Sequence, residues 1–252
     1  MFGSNNNDNF VDNVLSSTWQ NEEQVDEAVR ESLPKVFFRM FIALVITAVT
    51  SWAVYQYALA DPENISDSFF AVFIASAIIQ IILVIVISMR INKMAAGTAN
   101  ILFVIYSLLM GITISTIFVI YDLGLIFQAF LISGLMFSAT AGIGLVTKKD
   151  LSKMGGYLLM GLIGIIIASI VSFFLPTEMR TTLNVAINYI AVFVFIGLTA
   201  YNTQQTKKML RRAHESSQEE AVKRVTIMSA LMLYINFINL FLRILAIMGR
   251  RR

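Results

Sequence analysis

Ser229, Asn236, Asn239 and Arg243 stand in the last apolar stretch of the chain, Val225 to Ile247, among Leu, Ile, Met, Phe and Ala. In a helix of about 3.6 residues per turn, a step of seven nearly completes two turns, so these four fall close to one meridian. A hydroxyl and two carboxamides can donate and accept hydrogen bonds or offer neutral oxygens to an ion, and a guanidinium adds a fixed positive charge. None of the four exchanges a proton near neutrality. Other chemistries are excluded or unsupported. With no cysteine there is no disulfide, thiol nucleophile or thiolate metal site, and a single histidine excludes the multi-histidine sites of zinc enzymes. No Asp or Glu falls inside a predicted span, so the titratable relay of a proton-coupled pump is absent. The expectation is a non-enzymatic protein without cofactor.

A polar stripe on an apolar helix should face other helices or a wet cavity, not lipid. The composition explains what surrounds it. The chain has 252 residues, 57% hydrophobic and 14% charged, with a mean hydropathy of +0.74, too apolar for an ordinary soluble domain. Seven stretches approach the roughly 20 apolar residues that one crossing needs. The fold class expected is all-α: a polytopic membrane protein of seven transmembrane helices, the carboxy-terminal one central. The net charge of +3 does not indicate nucleic acid, because the basic residues flank the spans and report topology instead.

Two domains are expected: an acidic, poorly ordered cytoplasmic tail, 1–34, and the membrane domain, 35–252. The tail gathers Asp12, Glu22, Glu23, Asp26, Glu27 and Glu31 around Trp19; it reads as a solvated leader or as a docking handle for a cytosolic partner. The spans run from about Phe37 to Leu59, Phe69 to Met89, Ala99 to Tyr121, Leu125 to Val146, Tyr157 to Leu175, Leu183 to Ala200, and Val225 to Ile247. Arg90 and Lys93, then Lys148, Lys149 and Lys153, then Lys207, Lys208, Arg211 and Arg212 mark cytoplasmic ends, while Asp61, Glu63 and Asp67 mark an outer loop. Asn64-Ile65-Ser66 matches a glycosylation acceptor but is too short a pattern to weigh. All three prolines, Pro34, Pro62 and Pro176, are expected at boundaries. His214 is expected to be solvated in a charged link, with pH sensing as the alternative.

Small residues recur every four positions as Ser107-Gly111-Ser115, Gly134-Ser138-Gly142 and Gly164-Ala168-Ser172, which predicts three seams of close helix contact. The terminal Arg250, Arg251 and Arg252 run against the positive-inside count, which places the carboxyl terminus outside; seven full crossings are retained, with a final segment that bends back as the alternative. Arg243 either snorkels to the outer interface or, if deeper, needs a partner.

Several runs together resemble the Bax inhibitor-1/YccA family in its bacterial branch. They are Val146-Thr147-Lys148-Lys149-Asp150-Leu151-Ser152-Lys153-Met154-Gly155 with Met160 to Gly164 and Ile167-Ala168-Ser169, Tyr106 to Gly111, Ala200-Tyr201-Asn202-Thr203-Gln204, and Leu233 to Phe241. The resemblance covers the membrane domain and not the tail. It implies two three-helix layers wrapped about the last helix, a bacterial inner-membrane location, and one of three activities: passive calcium leak, cell-death suppression in eukaryotic members, or restraint of a membrane-anchored AAA protease. Leak-type members carry an aspartate pair that acts as a proton-sensitive gate, and the matching positions here are Asn202 and Asn236. Such a pair has no proton to lose, and it offers calcium only neutral oxygens where strong sites rely on carboxylates. The candidate site is therefore Asn202 and Asn236, supported by Asn239 and Arg243, with Arg90 near the cytoplasmic mouth. These residues either line a path for calcium or other cations or tie helices together. The partners expected are the lipid bilayer, those cations, and a membrane protease met through the tail and the cytoplasmic loops.

Overall fold

The computed structural model describes the backbone of residues 6–60, 67–216 and 218–250, with side chains for 22–59, 71–216 and 218–250. The Asn64-Ile65-Ser66 run, Pro62, Asp61, Glu63, Arg251 and Arg252, and the side chains of Asp12, Trp19 and Asp67, lie outside what is described.

The helices are α1 (Asn6–Ala60), α2 (Asp67–Arg90), α3 (Ala96–Ile114), α4 (Ile117–Ile120), α5 (Leu123–Val146), α6 (Ser152–Ser172), α7 (Thr177–Glu215) and α8 (Glu219–Gly249). Seven of the resulting segments are long and apolar enough to cross a membrane, α3 and α4 together making one crossing. The break between them has a local cause. Thr113, Ser115 and Thr116 each turn their hydroxyl back onto a carbonyl three or four residues earlier, and such back-bonding competes with the helical ladder and bends it. Asp122 then caps α5 by accepting from Leu125 N–H at 2.9 Å.

The helices form two groups around α8. On one side α3 packs between α1 and α2; on the other α7 packs between α5 and α6. Helix α8 touches α1, α3, α5 and α7, and 56% of its apolar stretch is buried against 11% for α6. This is the axial position expected from its polarity. Tyr234 of α8 is fully buried, edge-on to Phe103 and Tyr106, with its hydroxyl 2.6 Å from Thr47 Oγ1 of α1. Thr47 Oγ1 also contacts the Ser107 carbonyl at 3.0 Å, so one hydroxyl joins α1, α3 and α8.

Helix α8 runs to Gly249 without a break, and Arg250 reaches the Thr181 carbonyl near the start of α7. The segment does not fold back: α8 is one continuous helix among the seven long and apolar enough to cross a membrane. Of the three predicted seams only the first forms as drawn. A Cβ on Gly111 would lie 2.6 Å from Thr50 Cβ and 2.9 Å from the Thr47 carbonyl, whereas Gly134, Gly142 and Gly164 have open space around them. The packing face of α5 is Ala129, Ser133, Phe137, Ala141 and Gly144. That face lies one residue, or about 100°, away from the small-residue row.

Three expectations at the basic face change. Pro34 is not at a boundary but inside α1; it is exposed, so water can satisfy the carbonyl four residues back that loses its helical donor. The last turns of the acidic segment are packed: Val29 and Ser32 are buried and Asp26 pairs with Arg211 at 3.3 Å. His214 is not merely solvated. It is half-buried, 3.0 Å from Ser32 Oγ, and belongs to α7, which continues well past its apolar part.

Candidate functional site

The polar stripe of α8 faces its neighbours. Asn236 is 4% exposed, and its amide nitrogen has no protein partner. Half-buried Asn239 donates its side-chain amide to the Ile235 carbonyl at 2.9 Å. Arg243 is also half-buried and donates to Asn188 Oδ1 of α7 at 3.0 Å. These three α8 residues, with Ser169 and Ile166 of α6 and Phe195 of α7, line a crevice of about 390 Å³ between α6, α7 and α8. Ser169 uses its proton on the Ile165 carbonyl. No acidic side chain lines the crevice, and among the described residues no group of three His, Cys, Asp or Glu is placed to hold a metal.

Asn202 and Arg90 are placed elsewhere. Asn202 is half-buried on α7 and does not line this crevice, and no hydrogen bond joins it to Asn236. Its neighbours explain its setting, because they are committed to the loop between α5 and α6. The Gln204 amide donates to the Lys149 carbonyl at 2.8 Å and accepts from Leu151 N–H at 2.9 Å. Gln205 donates to Ser152 Oγ, and Lys208 pairs with Asp150 and Ser152. Lys208, with help from the Ser152 hydroxyl and N–H, holds the Asp150 carboxyl well below the usual carboxylate range. The ring of Tyr201 closes the same region, lying where a Cβ on Gly155 would be. Two of the quoted runs, 146–155 and 200–204, are thus the two halves of one clasp. Arg90 is exposed at the end of α2, beside Met89, Lys93 and Met94 in a separate groove, because α2 packs chiefly on α3 and not on the axis.

Sequence reasoning missed Asn188 as the partner of Arg243 and Ser169 as a wall of the crevice. Asn188 carried a usable signal, since it is a carboxamide inside the predicted sixth span. Ser169 carried none, because a hydroxyl in a membrane helix commonly satisfies itself on a carbonyl one turn back.

The chain matches the family described as "Inhibitor of apoptosis-promoting Bax1" over residues 29–252. It is 41% identical over 223 residues to an Escherichia coli protein named inner membrane protein YbhL, covering 87% of this chain and 92% of that one. An uncharacterised protein of Borreliella burgdorferi is also 41% identical over the same length and shares. One from Rickettsia prowazekii is 34% identical over 241 residues, 95% of this chain and 97% of that one. The match begins at residue 29, the first buried side chain of α1 among the described residues, and with the seven-helix architecture it establishes that the chain is an integral membrane protein belonging to the Bax inhibitor-1 family.

Proposed function

We propose that this protein provides a passive ion leak along α8 whose opening is not set by protons at Asn202 and Asn236, and that it is not an enzyme. One observation carries the reading. Among the described residues, the buried side-chain N and O atoms without a hydrogen-bond partner are Thr206 Oγ1, Ser229 Oγ, Asn236 Nδ2 and Arg224 Nε, the last of which still lies 3.9 Å from Glu220 Oε1. All four are on α7 and α8, the two helices with the most extensive mutual contact. Leaving a buried polar group unpaired costs about 1–3 kcal/mol, and such groups persist where water or an ion takes the place of a partner. Ser229, Asn236 and Arg243 keep one meridian, so the polar groups of α8 recur along one side about every two turns.

The charge of the line argues against the calcium leak that the resemblance implies. Asn236 and Arg243 are separated by two turns, about 10 Å. At an effective dielectric constant of 20, a divalent cation beside Asn236 would be repelled by the guanidinium by roughly 3 kcal/mol. The membrane proposed is the bacterial cytoplasmic membrane, with the amino terminus in the cytoplasm. Support comes from the basic clusters at Arg90, Lys93, at Lys148, Lys149 and at Lys207, Lys208, which all follow crossings that end on the amino-terminal face.

The test is ion flux in proteoliposomes. Asn236→Leu should abolish flux while the protein stays folded. Asn236→Asp, a carboxyl buried in the crevice, should make flux vary between about pH 5 and 8, the range of shifted carboxyl groups, where the parent stays flat. No flux of any ion from the parent would overturn the leak.

A second reading, restraint of a membrane-anchored protease, has its own support. Docking of α1 on α7 through Asp26 and Ser32 leaves Glu22, Glu23, Glu27 and Glu31 exposed on a continuous helix. Reversing Glu22, Glu23 and Glu27 to Lys preserves Val29 and Ser32, and should speed turnover of a membrane-protease substrate if this face is the handle. Unchanged turnover would sink that reading.

A further inference from the structure

We infer that the crevice between α6, α7 and α8 is an anion site, and that the ion carried along α8 is a small inorganic monovalent anion of the halide type; this rests on the leak reading for transport, but not for binding. A carboxamide is ambivalent, since it can turn its oxygen to a cation or its NH2 to an anion. Asn236 and Asn239 therefore leave the sign of the ligand open. The guanidinium settles it. Arg243 is charged at every relevant pH, and its partner is the neutral Asn188 carboxamide. Among the described residues no carboxylate pairs with it, and none lines the crevice. A half-buried cation in a membrane bundle without a counter-ion calls for a mobile one.

The donors agree with the charge. The Asn236 amide nitrogen is buried and unpartnered. The guanidinium makes one hydrogen bond, through Nη1 to Asn188, and has further N–H groups to offer. Asn239 commits one amide hydrogen to the Ile235 carbonyl and has a second. Ser169 supplies no proton, because Ile165 takes it. The crevice thus lines a positive end with N–H groups that continue about 10 Å inward to Asn236. A lipid phosphate could reach Arg243 near the membrane surface, but a headgroup anchored there would not descend two turns to Asn236. A small free anion reaches both.

The experiment uses the full-length protein in two formats. In planar bilayers under a potassium chloride gradient, the parent should reverse at a potential of the chloride sign, and Arg243→Gln, which can still donate to Asn188, should lower the chloride-to-potassium permeability ratio at least tenfold. In detergent, chloride should raise the unfolding temperature of the parent over gluconate, and this difference should disappear in Asn236→Leu and in Arg243→Gln. A potassium-signed potential in the parent would overturn the inference. So would the same stability in chloride and gluconate, or stabilisation by a short-chain phosphatidylglycerol but not by chloride. No flux together with chloride-dependent stability lost in both variants would keep the anion site and remove the leak.

Discussion

The clasp at the basic ends of α5, α6 and α7 and the crevice along α8 use the same kinds of side chain to opposite ends. In the clasp, Gln204 meets one carbonyl and one N–H of the 147–151 loop at 2.8 and 2.9 Å, and Lys208 meets Asp150 and Ser152. Gln204, Lys208 and Asp150 each have partners there. In the crevice, Asn236 is buried like Gln204, and yet its amide nitrogen has no protein acceptor. A membrane bundle gains stability from satisfied polar groups and loses it from orphaned ones. The contrast therefore separates a fastening from a functional surface, although both lie in runs that mark the family.

The largest effect should come from prying the fastening apart. A Cβ on Gly144 would fall 2.4 Å from the Ala200 carbonyl oxygen, a backbone atom that cannot swing aside, whereas Gly142 has nothing within 4 Å. Gly144→Ala should cost about 2–3 kcal/mol, as overpacking commonly does. Gly142→Ala should be neutral or stabilising by up to about 1 kcal/mol, because alanine is the better helix former. Unfolding in graded sodium dodecyl sulfate measures both. Equal losses at the two positions would mean that α5 and α7 are not seated as described.

Next comes a pair of amide removals with opposite signs. Gln204→Leu strips partners from the Lys149 carbonyl and the Leu151 N–H and should destabilise by about 1–2 kcal/mol. Asn236→Leu replaces an unpaired group by an apolar one of similar size, and should stabilise by about 1 kcal/mol while flux is lost. A gain in stability with a loss of activity is the signature of a site maintained against packing. Two losses of similar size would instead make Asn236 another fastening.

How much of this contrast the chain announces depends on the kind of constraint. The axial place of α8 is legible because lipid tolerates few polar groups, so Ser229, Asn236 and Arg243 on one meridian leave one acceptable environment. The crossings are legible for the same reason. What fails is whatever depends on a rotation of about 100°. Gly134, Ser138 and Gly142 make as regular a row as Ser107, Gly111 and Ser115, yet the contact face of α5 lies one residue over, through Ser133, Phe137 and Ala141. Spacing shows that a face exists, but not which helix meets it. Pairings between distant segments are silent too. Nothing local tells that Gln204 will reach Lys149, that His214 will meet Ser32, or that Arg243 will find Asn188. The match of Asn202 with Asn236 is of that class, a correspondence of position that carries no statement about contact.

The smallest effect lies at the outer edge of the clasp and reads out in acid. The Asp150 carboxyl is held below the usual carboxylate range chiefly by Lys208, and then by the Ser152 hydroxyl and N–H. A group whose folded form binds its proton less tightly than the unfolded form adds stability that is fully present above the ordinary value near 4, and that fades as pH falls toward the lowered one. The pair is exposed, so solvent screens it and its contribution is slight. Asp150→Asn should therefore be marginally less stable than the parent at pH 7, and the gap between the two thermal unfolding curves should shrink as pH drops from about 5 to 3. High salt should shrink the gap at pH 7 as well, because screening acts on exposed charges. Gln204→Leu has no titrating group to lose, and its deficit should persist across the same range. Two deficits that both vanished in acid would show that Lys208 and Asp150 hold the loop on α7, with the amide contacts following from that ion pair.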